Sequence, residues 1–142
     1  MLLVDVNVLV DAMREDTSDH EIVHTWFVNA LAGSEPVGIP ELALSGLLRL
    51  ATNHRVFEQP SSPAEVLDFI DDVFAAPSAL RIRPGERHFD LFRGLVEDTQ
   101  SRANDVPDAY FAAMALEYRA GWVTRDMGFR RFPGIRVVDP RL

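Results

Sequence analysis

Cysteine and lysine are both missing from this chain of 142 residues. Without cysteine there is no disulfide, no thiolate catalysis and no zinc site built on sulfur. Without lysine, all 14 basic side chains are arginine, which suits bidentate contact with phosphate or carboxylate and is equally at home in surface ion pairs. Positive charge is scarce overall: 22 acidic residues against 14 basic ones leave a formal net charge of −8. That balance argues against a module that holds nucleic acid by charge alone. It does not exclude a nuclease, because acids that bind a metal ion lower the net charge while serving the site. Long apolar runs are absent too, and none approaches the length of a membrane span. The run Met1–Val10 has no basic leading segment and is interrupted by Asp5 and Asn7, so it reads as a core strand rather than an export signal. A cytoplasmic protein without membrane contact is the expectation.

What is present is ordinary for a globular chain. Apolar residues at 47% and charged residues at 25% fit a single domain over residues 1–142, large enough to bury a core. Leu2–Val6 reads as a buried strand, and the residues after Asn7 as a turn into a short helix. Ile22, Val23, Trp26, Phe27 and Leu31 recur at helical spacing and predict a helix over His20–Ala32, broken by Gly33-Ser34-Glu35-Pro36. Val37–Ile39 predicts a brief strand and Glu41–Thr52 a leucine-rich helix. Ser62-Pro63-Ala64-Glu65 combines a cap, a proline suited to the first turn and a capping-box glutamate, and starts a helix that ends near Ala76. A strand at Leu80–Ile82 and an amphipathic helix over Glu86–Ser101 follow. Asn104 or Asp105 is expected to cap a helix running to Arg119, with Gly121 as its stop. Trp122–Thr124 and Ile135–Val138 read as the last strands. Strands alternating with helices predict an α/β fold with a mainly parallel central sheet flanked by helices.

Three aspartates stand out against that frame. Asp5 ends the first apolar run, Asp108 opens the helix Asp-Ala-Tyr-Phe-Ala-Ala-Met-Ala, and Asp126 follows the run Trp122-Val123-Thr124. Two strand ends and a helix start can meet at one edge of an α/β sheet, where such folds place ligands. Carboxylates crowded there repel unless a divalent cation holds them, and magnesium or manganese prefers oxygen donors. A site of that kind handles phosphate. Each aspartate also has a plain reading: a strand end that faces solvent or caps the next turn for Asp5, a favourable charge in a first helical turn for Asp108, and a turn start before Gly128 for Asp126. Only jointly do they point to a site.

The remaining candidates weigh less. His20 and His24 stand four apart, a zinc-like spacing, but lack an HExxH context and read as a surface pair. His54 and His88 are isolated, and Asp71-Asp72 falls on the polar face of a helix. Arg125, Arg130 and Arg131 surround Asp126 and are able to grip an RNA backbone, or to form a solvated face.

The segments Val4-Asp5-Val6-Asn7-Val8-Leu9-Val10, Val106-Pro107-Asp108-Ala109-Tyr110-Phe111-Ala112-Ala113-Met114-Ala115 and Thr124-Arg125-Asp126-Met127-Gly128-Phe129 together resemble a PIN domain. Leu48-Arg49-Leu50-Ala51-Thr52-Asn53-His54-Arg55-Val56-Phe57 and Phe132-Pro133-Gly134-Ile135-Arg136 extend the likeness to the VapC toxins of type II toxin–antitoxin systems. The resemblance implies a PIN-like fold and a magnesium-dependent endoribonuclease, with manganese as a possible substitute. It implies cleavage of tRNA or ribosomal RNA and silencing by a VapB-type antitoxin. It places metal-binding acids at Asp5, Asp108 and Asp126, with Asn7 and Thr124 as supporting polar groups. The sequence departs from the pattern at Gly46, where the family commonly carries glutamate in a Ser-Glu-Leu-Leu-Arg context, and at Gly128, where a further acid is common. Glu41 is a weak substitute for the acid absent at 46. A glycine inside a helix has no stability rationale from sequence, so Gly46→Glu is expected to strengthen cleavage. The alternative is a catalytically weakened PIN-domain protein that keeps antitoxin binding, with or without RNA binding. A phosphatase with Asp5 as covalent nucleophile would want an acid at position 7 and a lysine, and has neither. Large side chains at Trp26, Phe27 and Leu31, and at Leu67, Phe69, Ile70, Val73 and Phe74, suggest an apolar surface and a homodimer.

Overall fold

The apolar run at the N-terminus becomes the middle strand of a sheet in the computed structural model, which describes residues 1–142. Strands β1 (Leu2–Val4), β2 (Val37–Pro40), β3 (Ala79–Ile82), β4 (Gly121–Val123) and β5 (Arg136–Val138) lie in the order β3-β2-β1-β4-β5. Every pairing is parallel. Leu3 and Val4 of β1, Val37 and Ile39 of β2, and Trp122 and Val123 of β4 are fully buried, because a parallel sheet is covered on both faces.

The helices are α1 (Val6–Met13), α2 (His20–Ala32), α3 (Glu41–Ala51), α4 (Pro63–Ala75), α5 (His88–Thr99) and α6 (Asp105–Glu117), with a 3-10 turn at Met127–Arg131. The chain moves from β1 to β2 to β3 in one direction and from β3 across to β4 and β5 in the other. Right-handed crossovers therefore put α1–α4 on one face and α5 and α6 on the opposite one. The contacts agree: α1 packs on α2 and α3, α3 on α4, and α5 on α6. Phe27 of α2 stacks on Phe69 of α4 with ring centroids 6.4 Å apart, so much of the apolar surface suggested for a dimer is core. Leu67 and Val28 stay exposed at its margin.

Three local expectations change. Val6–Met13 is helical from its first residue, with Asp5 as its N-cap accepting from the Val6 N–H; the strand stops at Val4 and Asn7 lies in the first helical turn. Neither Asn104 nor Asp105 caps α6 through its side chain. The stop of α6 is Arg119, not Gly121. Arg119 takes a left-handed backbone (φ 51°), and the Ala120 N–H reaches back to the Ala115 carbonyl at 2.9 Å, the helix-ending pattern that glycine usually serves. Gly121 instead begins β4.

Gly46 has a packing reason. A Cβ built there would lie 2.9 Å from Val6 Cγ2, so glycine lets α3 approach α1 immediately beside Asp5. Gly46→Ala is expected to lower stability by about 1 kcal/mol, overpacking outweighing the gain in helix propensity. Arg119→Gly is expected to raise stability by about 0.5–1 kcal/mol by relieving the left-handed backbone, since the exposed Arg119 has no hydrogen-bond or ion-pair partner through its side chain. Urea unfolding at neutral pH reads both: a lower midpoint for the first variant and a higher one for the second.

Candidate metal-binding active site

The direction of the chain reverses between β1 and β4, so the connections leaving these neighbouring strands diverge onto opposite faces and open a crevice at their carboxyl ends. The register pairs Val4 with Val123. The next residues, Asp5 and Thr124, consequently meet at the lip of that crevice. Only three residues separate the end of α6 from the start of β4, so α6 runs antiparallel to the strands and its first turn, carrying Asp108, lies at the same edge.

Asp5 is 7% exposed, and an ionised carboxylate so placed needs donors. Its Oδ1 accepts the Val6 N–H at 2.7 Å. Its Oδ2 accepts the Thr124 hydroxyl at 2.6 Å and the Asn7 amide at 2.8 Å. Asn7 Nδ2 lies 3.0 Å from Thr124 Oγ1 as well, and Asn7 Oδ1 accepts the Arg125 N–H at 3.2 Å. Thr124 Oγ1 in turn accepts the Asp126 N–H at 3.0 Å. Asp5, Asn7 and Thr124 thus form one hydrogen-bonded unit that also sets the backbone leading into Asp126.

Burial drives the Asp5 carboxyl from the ordinary range up to about 6, against the pull of Thr124 and Val6, and the charges of Asp108 and Asp126 push it further. Those two acids are therefore within electrostatic reach of Asp5. Asp108 is likewise raised, chiefly by burial, with Arg131 opposing. The structure does not gather the three into a ready chelate: no three acidic or histidine side chains are grouped closely enough to hold a metal ion. Asp108 Oδ2 instead accepts from Arg131 Nη2 at 2.7 Å. The exposed Asp126 turns its Oδ1 to the Gly128 N–H at 2.8 Å. Gly128 is fitted to that turn, since a Cβ there would lie 2.8 Å from the same oxygen. As a donor set, three mutually repelling carboxylates without nitrogen or sulfur suit a hard divalent cation.

The other candidates fall elsewhere. Glu41 opens α3 and pairs with Arg83 Nε at 2.7 Å, outside the Asp5–Asn7–Thr124 unit. His20 and His24 each use Nδ1 on a backbone carbonyl of α1, Asp11 and Ala12, both at 2.8 Å, so the pair secures the end of that helix. His88 is buried and bonded to the Tyr110 carbonyl at 2.9 Å. Arg125, expected on the RNA, turns inward to form an ion pair with Asp11, which is 2% exposed, and reaches Asp19 at 3.3 Å. Sequence reading missed this partnership because Asp11 lies in an apolar helix far away in the chain. It missed the Arg131–Asp108 pair for the same reason, 23 residues apart.

The sequence matches the family model of the PIN domain over residues 2–135. A VapC ribonuclease of Mycobacterium bovis is 45% identical over 140 residues, covering 99% of this chain and 95% of that protein. Ribonuclease VapC31 of Mycobacterium tuberculosis is 40% identical over 142 residues, covering 100% of both. Among solved structures, VapBC2 from Rickettsia felis bound to a promoter DNA fragment superimposes with a TM-score of 0.71 at 14% identity, covering 96% of each chain. FitAB bound to a DNA fragment gives 0.70 at 19%, covering 100% of this chain and 96% of that one. At such identities these two speak for the fold, and they match the parallel five-stranded sheet described above. The full-length match to the curated ribonucleases goes further, and the chain belongs to the PIN-domain family, among the VapC ribonucleases.

Proposed function

We propose that the protein is the toxic ribonuclease of a type II toxin–antitoxin pair, hydrolysing RNA phosphodiesters at the edge formed by Asp5, Asp108 and Asp126. The observation that carries this reading is the Asp5 carboxylate, held by Thr124 and Asn7 and pushed up to about 6 chiefly by burial, with the charges of Asp108 and Asp126 adding to the push. Such a site stores charge repulsion that a divalent cation relieves. Magnesium, with manganese as substitute, would be held by these three acids, and when bound it would polarise a phosphate oxygen and supply a more acidic water. Thr124 and Asn7 keep Asp5 oriented through their hydrogen bonds. The Asp126 N–H donates to the Thr124 hydroxyl oxygen and the Thr124 hydroxyl donates to Asp5, which couples the second strand end to the first.

The partner is a VapB-type antitoxin and the substrate is a structured RNA such as tRNA or ribosomal RNA. No helix is long and apolar enough to cross a membrane, and the cytoplasm is the compartment where such a toxin meets its substrate. Exposed Val28, Leu67 and Phe89 offer apolar surface for a homodimer or for the antitoxin. A second reading, a PIN-domain binding protein with weakened catalysis, draws on the absence of a preformed metal cluster and on Gly46 and Gly128. Antitoxin binding without RNA cleavage in magnesium or manganese would select it.

Purified protein incubated with total RNA is expected to cleave only with magnesium or manganese. Asp5→Ala is expected to reduce cleavage to background, and Thr124→Val to slow it about 10–100-fold, the range for lost orienting groups. Equal cleavage by wild type and Asp5→Ala would place the activity elsewhere.

The raised Asp5 carboxyl also dictates a pH dependence. In metal-free buffer the folded chain retains a proton between the ordinary carboxylate range and about 6 that the unfolded chain has released. Stability therefore falls as pH rises through that window, by up to about 3 kcal/mol. Asp5→Asn is expected to flatten this slope and to raise the urea midpoint at pH 7.5 in EDTA. A midpoint at pH 7.5 no higher than that of wild type would show that Asp5 carries no such burden.

A further inference from the structure

Of the three site aspartates only Asp108 touches a cation, and that cation is Arg131. It sits at the end of the turn that begins after Asp126. Its Nη2 donates to Asp108 Oδ2 at 2.7 Å and lies 3.4 Å from Asp105 Oδ1. Its Nη1 donates to the Gly128 carbonyl at 2.8 Å. Its guanidinium carbon stands 4.4 Å above the centre of the Phe132 ring. Arg125 is engaged with Asp11 and Asp19, and Arg141 with Asp139 and Asp19, while the neighbouring Arg130 is exposed and touches none of the site aspartates.

A guanidinium and a divalent cation that use the same carboxylate compete for its oxygens and repel each other. Arg131 already neutralises Asp108, lowering the repulsion that would otherwise draw in a cation. Its side chain is one-third exposed, so it is free to leave Asp108 for solvent without unpacking the core. Once released, a planar fork with paired donors matches a phosphodiester better than any other side chain. We propose that Arg131 is a resident counter-cation, holding Asp108 while the metal is absent and turning to an RNA phosphate when the metal binds. This rests on the metal-site reading of Asp5, Asp108 and Asp126. It makes Arg131 a positioning residue in the metal-free protein and a phosphate ligand in the loaded one.

Manganese titration of the full chain by calorimetry, without RNA, tests the first half. Wild type is expected to bind manganese and Asp5→Asn to lose it. Arg131→Gln is expected to bind about fivefold more tightly than wild type, the scale of a partly exposed ion pair, while Arg131→Lys stays near wild type. For the second half, Arg131→Gln is expected to raise KM for RNA more than it lowers kcat. Phenylglyoxal labelling with peptide mapping reads the same exchange in the unmutated protein: magnesium should increase modification of Arg131, and added RNA should protect it. No Asp5-dependent manganese binding in wild type would overturn the metal-site reading and this inference with it. Asp5-dependent binding that Arg131→Gln leaves unchanged or weaker, or labelling that magnesium does not raise, would overturn the role of Arg131 alone and leave it a support for the turn.

Discussion

A carboxylate that is 7% exposed must be answered by donors, and the donors that answer Asp5 come from separate parts of the chain. Thr124 is 119 residues away, yet its hydroxyl reaches Asp5 Oδ2 at 2.6 Å. That contact exists because β1 and β4 pair in parallel with Val4 beside Val123. A slip of one residue would turn the alternating side chains over, sending Thr124 away from Asp5 and unpacking Trp122. Core packing of the sheet and geometry of the site are therefore one constraint.

The strands also explain why the site lies at this edge. Parallel strands need crossovers, and the crossovers leaving β1 and β4 depart on opposite faces. The crevice between them is a consequence of topology, and the polar residues that enter it are those following the last buried residue of each strand. α6 runs back toward the same edge, which brings Asp108 into the field of Asp5 although no bond joins them. The positive end of a helix there also favours a carboxylate.

Apart from the N-terminal amine on Glu35, every ion pair of this chain is made by arginine. Arg125 is tied to the buried Asp11 and Arg141 to Asp139, whose carboxyl Arg141 holds below its usual range. Arg14 binds Asp16 through two nitrogens, donates to Ser61 and the Gln59 carbonyl, and lies 4.0 Å from the Phe57 ring centre. These forks fasten loops and the C-terminal segment to the helical layer. An ammonium group, a point charge without a fixed fork, does this less well. Removing Arg125 would leave Asp11 charged and unpaired in the interior, the costly half of a broken ion pair.

Local signals were legible wherever a short window contains the whole cause. The helix at His20–Ala32 follows from its spacing, and the capping box at Ser62 and Glu65 forms as its residues predict. The strand order, the start of α1 at Val6 and the left-handed Arg119 were not legible, because each depends on where the chain goes next. Asp5 looks like a strand residue because its neighbours are apolar; it caps α1 because the sheet ends there. Gly121 looks like a helix stop but is needed in β4, which leaves Arg119 to make the turn.

By itself, then, the sequence determined the alternation of strands and helices, the three aspartates and their family, since each is written in contiguous residues. Tertiary structure decided which polar groups meet. It joined Asp5 to Asn7 and Thr124, set Gly46 against Val6, turned Arg125 inward to Asp11 and laid Arg131 on Asp108. Charge and hydrogen bonding act over a few ångströms in space, and only the folded sheet converts separations such as the 119 residues between Asp5 and Thr124 into such distances.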